Sequence, residues 1–214
     1  AIIYELHIRD FTISPTSGVT NKGKFLGVVE EGTLSVNGDR TGLDYLKELG
    51  VSHVQILPMA DFCTVNELKP LEQYNWGYDP QNFNVPEGSY ATNPYQPEVR
   101  ILEMKEMIQG LHDAGIRVIM DVVYNHVYLP KLHALEKTVP GYYFRRNEDG
   151  TLCNGTGVGN DTASERFMMR KYIIDSITYW AKNFHLDGFR FDLMGIHDIE
   201  TMNEIRIALD EIDP

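Results

Sequence analysis

Ile116-Arg-Val-Ile-Met-Asp-Val-Val123 is a near-continuous apolar run interrupted by one arginine and one aspartate. Its length and β-branched content suit a strand, and apolar side chains on both faces suit one covered on both sides, as in a parallel sheet. Three further runs read as strands: Ile2–Ile8, Val51–Leu57 and Leu186–Asp192. Helical patterns alternate with them. Thr41 stands as an N-cap before Leu43, Leu46 and Leu49, and Gly50 closes that helix. Pro97 occupies a first-turn position before a stripe of Ile101, Met104, Ile108 and Leu111 that ends at Gly115. Ser164 is placed to cap a helix carrying Ile173, Ile177, Trp180 and Phe184, and a last helix carries Ile199, Met202, Ile205 and Leu209.

Four strands alternating with four helices predict (βα)4, a parallel sheet with right-handed crossovers. A doubly wound nucleotide binder needs a glycine-rich turn after its first strand, and none stands there. Polar and aromatic residues gather instead after the ends of strands two, three and four, where barrel enzymes keep their chemistry. The expected class is α/β, a (β/α)8 TIM barrel of which residues 1–214 supply roughly the first four βα units as one partial domain. Thr12 to Asp39 reads as a long loop. Met59 to Gln96, after the second strand, spans 38 residues, and about 127–163 form an excursion after the third. Loops of that length in a compact domain are usually functional. The glycines at 155, 157 and 159 lack the Lys-Ser/Thr of a phosphate cradle and read as loop flexibility.

A formal charge of −12 argues against nucleic acid or an anionic membrane as partner and suits a neutral substrate. No apolar run approaches the roughly 18 residues of a membrane span. Cys63 and Cys153 lie in loop-like sequence and read as free thiols in a reducing compartment. The reading leans to a cytoplasmic location. The chain opens in a strand and stops at Asp213-Pro214 straight after a helix, like a piece, which leaves room for a signal peptide upstream. Asn154-Gly-Thr156 and Asn160-Asp-Thr162 fit the glycosylation pattern and carry weight only in a secreted eukaryotic protein.

The chemistry concentrates in Leu186-Asp-Gly-Phe-Arg-Phe-Asp192. On a strand, Gly188, Arg190 and Asp192 share one face and Phe189 and Phe191 the other. An arginine beside a carboxylate on a buried strand must be paired with it. A cationic neighbour favours the ionised form that a carboxylate nucleophile needs. A structural ion pair at a strand end is the alternative these seven residues leave open.

Asp121-Val-Val-Tyr-Asn125-His126 and Gly188-Phe-Arg190-Phe-Asp192 resemble two signatures of the α-amylase family of retaining glycoside hydrolases, in the right order and each at the expected strand end. Tyr74-Asn-Trp-Gly-Tyr-Asp-Pro80 resembles the type I pullulanase branch, the debranching enzymes. Ile3–Asp10, Pro86–Ala91 and Gly159–Glu165 agree with it. The resemblance implies a hydrolase of α-1,6 links in pullulan- or glycogen-type α-glucans, acting by retaining double displacement. It implies Asp192 as nucleophile, Arg190 holding it ionised and aimed, and Asp121 bracing Arg190. In the substrate-binding group, His126 is expected to hydrogen-bond the sugar and Tyr78 to stack on it. Asn125 is expected to support the loop, and Met194 to line the cleft. Trp76 reads as a loop anchor. His7, His53, His112, His133, His185 and His197 have no carboxylate or cysteine at telling spacings and read as core, helix-surface or loop residues. No cofactor is expected: calcium, which some relatives bind here, is possible but unsupported, because the loop after Asn125 offers too few acidic partners.

The same family supplies its general acid after the fifth strand, beyond this chain, and Glu200, Glu204 and Glu211 sit on the last helix, outside the barrel. The resemblance therefore implies that these 214 residues alone do not hydrolyse glucan. Two alternatives stand beside it: a non-catalytic α-glucan-binding piece, and an α-1,4-acting amylase or neopullulanase. Half a barrel also leaves open sheet edges, so self-association or the missing C-terminal half is the expected protein partner.

Overall fold

The computed structural model describes residues 1–70 and 72–212, so the chain end at Asp213-Pro214 lies outside the described residues. Strands β1 (Ile3–Leu6), β2 (His53–Ile56), β5 (Arg117–Val122) and β6 (Gly188–Phe191) form one sheet in that order, every neighbouring pair parallel. This is the expected (βα)4 arrangement, the N-terminal part of a barrel. Only one face of the two middle strands is fully buried: Val54, Ile56, Val118 and Met120 share it, whereas His53, Gln55 and Ile119 on the other face are half-buried, so the expected cover on both faces is met only at Asp121. β1 and β6 are the outer strands, and Ile2 and Ile3 at the start of β1 stand exposed.

Helix α3 (Gly42–Leu49) buries Leu43 and Leu46 and ends at Gly50, whose φ of 72° is the left-handed turn that glycine adopts without penalty. Thr41 does hold the N-cap position, but its hydroxyl donates to the carbonyl of Ser17 (2.6 Å) instead of capping. Helix α4 (Pro97–Asp113) begins with its proline and buries Met104, Met107, Ile108 and Leu111, with Ile101 at the exposed margin of the stripe. Helix α6 (Phe167–Phe184) buries Ile173, Ile177, Trp180 and Phe184, as the spacing predicts. Fully burying side chains of this size contributes about 1.5–3 kcal/mol each.

Several expectations need correction. β1 stops at Leu6, because the ring of His7 turns to accept the Asp10 amide and caps a short helix α1 (Ile8–Thr12). The loop from Thr12 to Asp39 contains a further short helix, α2 (Phe25–Val28), that buries Phe25 and Val28. Within Met59–Gln96 lies an antiparallel pair, β3 (Ala60–Phe62) with β4 (Pro80–Pro86), tied to α6 where Trp180 Nε1 donates to the Phe83 carbonyl (3.0 Å). The excursion after β5 holds α5 (Ala134–Thr138) and two isolated bridges, Phe144 with Thr162 and Arg146 with Leu152. Its glycine segment is tethered, since the Asp161 carboxylate accepts the amides of Gly155 and Thr156 (2.9 Å each). Ser164 does not cap α6, whose N-cap is Arg166, two residues later. Its hydroxyl instead bonds Asp198, the N-cap of the last helix, α7 (Ile199–Asp210). In α7, Ile205 is buried while Ile199 is 78% exposed, so the expected stripe loses its first member.

No helix among the described residues is long and apolar enough to cross a membrane. Cys63 and Cys153 are both free thiols. Asn160 is buried, out of reach of a glycosylating enzyme in the folded chain.

Candidate active site

The parallel register sets Asp121 of β5 opposite Arg190 of β6 at the C-terminal end of the sheet. Asp121 is 1% exposed, and an ionised carboxylate so placed is tolerable only when paired. Arg190 Nη1 donates to both of its oxygens (2.9 Å each) and also to Asp192 Oδ1 (3.0 Å). One guanidinium thus bridges two carboxylates. Burial pushes the Asp121 pKa above the usual carboxylate value, against the pull of Tyr78 and Arg190. The guanidinium is held above its own ordinary value by Asp121, against the opposing effect of its burial.

Tyr78 joins from the loop between β3 and β4, its hydroxyl donating to Asp121 Oδ2 (2.7 Å). Burial and that bond both raise the phenol pKa, so it stays a donor. The loop reaches Asp121 because several residues clamp it. Asn75 donates to Asp79 Oδ1 (2.8 Å) and accepts the Gly77 amide (2.7 Å). Gly77 has φ 91°, and a Cβ there would lie 2.8 Å from Pro58 Cβ, so no other residue fits. Helix α1 and its cap supply the other half of the clamp: His7 Nε2 meets the Asn75 carbonyl (2.9 Å), and Tyr74 donates to Asp10 (2.7 Å) under the Arg9 guanidinium. Two stretches separated by some seventy residues therefore act together to deliver Tyr78.

Asp192 follows β6, its amide donating to the Val122 carbonyl (3.0 Å). Leu193 then turns the chain in the left-handed region (φ 44°), uncommon for a non-glycine residue and frequent at functional sites. The turn leaves Met194 exposed beside Asp192, at the start of a 3-10 turn (Met194–Ile196).

Asn125 is fully buried, and its Nδ2 donates to the Asp192 carbonyl (2.8 Å) and to Oδ2 (3.0 Å). Its oxygen consequently faces His126 Nδ1 (2.5 Å), while His126 Nε2 lies 3.0 Å from the Tyr78 carbonyl. Both ends of the amide are engaged. His126 is buried, and burial lowers its pKa. A sugar contact requires Nε2 to exchange the Tyr78 carbonyl for a hydroxyl.

The structure therefore brings together Asp121, Arg190, Asp192, Tyr78, Asn125 and His126, and leaves Met194 exposed two residues past Asp192. Sequence reasoning missed the direct bond from Asn125 to Asp192; the adjacency of Asn125 to His126 was the available signal. Trp76, expected as an anchor, is 59% exposed. His112 has a carboxylate partner after all, Asp187 (2.8 Å), which also accepts the Val118 amide and stitches α4 to the start of β6. His197 is buried with neither ring nitrogen bonded among the described residues. One carboxylate group, Asp61, Glu67 and Glu87, is tight enough to share a cation, but Arg100 already holds Glu67 through two bonds (2.9 and 2.6 Å).

Comparison with known proteins gives the family. Residues 13–140 match the family model described as alpha amylase, catalytic domain. The pullulanase of Bacillus subtilis strain 168 is 57% identical over 202 residues, 94% of this chain and 28% of that protein. Pullulanase A of Streptococcus pneumoniae serotype 4 is 39% identical across the whole chain, which spans 17% of it. The crystal structure of Paenibacillus barengoltzii pullulanase, in complex with maltohexaose and alpha-cyclodextrin, superposes with a TM-score of 0.98 at 61% identity, over all of this chain and 34% of that one. The chain thus spans about a third or less of the length of these relatives. Together the matched fold, the paired strand ends and these relatives place the chain in the alpha-amylase catalytic-domain family, on its pullulanase branch.

Proposed function

We propose that this chain is the nucleophile-bearing part of a debranching glycoside hydrolase that cleaves α-1,6 links in pullulan- or glycogen-type α-glucans. The observation that carries the reading is Arg190 bridging Asp121 and Asp192 at neighbouring strand ends. Asp192 attacks the anomeric carbon and forms a glycosyl ester, while the bond to the O6 of the branch-point glucose breaks and an acid protonates that oxygen. Water then cleaves the ester, with its proton passing to the same group acting as base. Arg190 and Asp121 keep the attacking carboxylate aimed, Tyr78 offers a ring face for sugar C–H groups, and Met194 borders the cleft.

The acid is expected after a fifth strand, and the described sheet has four. Glu200 and Glu204 are committed to Arg170. The 214 residues alone therefore bind glucan without turnover. A second copy covers their sheet edges, and the remaining half-barrel does so in a longer chain. The test compares reducing-sugar release from pullulan by this chain and by an extended chain, in which the sequence continues past Pro214 with the remainder of the Bacillus subtilis pullulanase. Release by the extended chain alone is expected. Silence from both, with glucan binding retained, overturns the hydrolase reading in favour of a binding module.

A further inference from the structure

We infer that Asn125 is the positioning residue of the attacking carboxylate, an inference that rests on the hydrolase reading above. A carboxylate held at one oxygen still rotates about its Cβ–Cγ bond, so aiming it takes a second hold. Arg190 grips Asp192 Oδ1 (3.0 Å) and Asn125 grips Oδ2 (3.0 Å), which fixes the plane of the group and leaves each oxygen a free lone pair. The two holds differ in kind. The Arg190 side chain is 41% exposed, whereas Asn125 is fully buried, so the Asn125 bond is the less screened.

Asn125 also donates to the main-chain carbonyl of Asp192 (2.8 Å), pinning the residue just ahead of the left-handed turn at Leu193. Side chain and backbone are therefore fixed by a single amide. That amide has one possible orientation, because only its NH2 end can face a carboxylate. The orientation commits its oxygen to His126, whose other nitrogen meets the Tyr78 carbonyl. A closed ring of contacts results, running through Asp192, Asn125, His126, Tyr78, Asp121 and Arg190 back to Asp192. A sugar that touches Tyr78 or His126 is thus mechanically linked to the aim of the nucleophile.

The test uses the extended chain with Asn125→Ala and the near-isosteric Asn125→Asp, assayed on pullulan and on an α-maltosyl fluoride, whose leaving group needs no acid. Asn125→Ala is expected to lower kcat about 100-fold on both substrates, since small misplacements of a reacting group cost that much, with KM within about threefold. Asn125→Asp sets a second carboxylate against Asp192 and is expected to move the acidic limb of the kcat/KM profile up by about one pH unit or more. Unchanged kcat and an unchanged limb, with only the melting temperature lowered, overturn the inference. Failure of the hydrolase reading is seen separately, as no turnover by the unsubstituted extended chain. In that event the Asp192 carboxyl carbon, titrated by 13C NMR, decides the matter. An upward shift in both variants upholds the positioning role, and identical titrations refute it.

Discussion

β5 and β6 are neighbours that run the same way and end at the same place, yet one lies inside the sheet and the other at its rim. Val118 and Met120 of β5 are fully buried and Asp121 is 1% exposed, whereas all four residues of β6 are half-buried. The Asp192 side chain keeps 16% of its exposure. The central strand makes a dry mount for Asp121, and the rim leaves Asp192 partly exposed. A carboxylate buried like Asp121 cannot attack; a carboxylate as open as Asp192 cannot aim itself. The pairing through Arg190 joins the two properties.

That contrast can be broken experimentally. The largest expected effect is on turnover: Asp192→Asn in the extended chain should lower pullulan hydrolysis by roughly 10⁴-fold or more with an unchanged circular-dichroism spectrum. Activity within tenfold of the parent would mean that the rim carboxylate is not the nucleophile. At the centre, Asp121→Ala should instead cost stability, about 3–5 kcal/mol in urea unfolding, because Arg190 and Tyr78 lose a buried partner. A loss under 1 kcal/mol would show that the mount is not what holds the arginine.

Truncating one apolar side chain on each strand sharpens the comparison. Met120→Ala should cost about 2–5 kcal/mol, while Phe189→Ala should cost less than half of that in this chain and approach it once a further strand covers the rim. Equal losses in the short chain would erase the distinction between centre and rim.

An effect confined to acid pH is expected at His197, which packs edge-on against Phe191 of β6 (6.3 Å). Burial chiefly, and then Arg145, lower its pKa from 6.5 to about 4. The folded chain therefore binds this proton less readily than the unfolded chain. Stability is intact above about pH 6.5 and is lost as pH falls toward about 4, by up to about 3 kcal/mol. His197→Gln should flatten that part of the stability profile, and an unchanged slope would exclude the residue.

Much of this arrangement was readable from the residues. A period of two or of 3.6 marks an element with one buried face and an apolar run marks a strand, so the four parallel strands and the buried stripe of α6 announced themselves, although the run of β5 gave no sign that Ile119 on its second face stays half-buried. The pair β3–β4 did not, because its register shifts and its seven-residue strand alternates poorly. Nor did α1 and α2, which are too short to show a period. Contacts made across long separations, such as His112 with Asp187 or Asn125 with Asp192, leave no mark in spacing at all. Ser164 illustrates the same limit: a residue with a capping side chain served a different helix, because the three-dimensional neighbour won over the sequential one.

The strand order within the sheet is also the order along the chain. On the ribosome, each strand therefore emerges to find its neighbour already made, and the sheet grows by accretion in one direction. Asp121 is laid down nearly seventy residues before the guanidinium that neutralises it. Until Arg190 arrives, the nascent domain carries a carboxylate without its cation in its newest wall, so completion of this ion pair and pairing of the last described strand are one event.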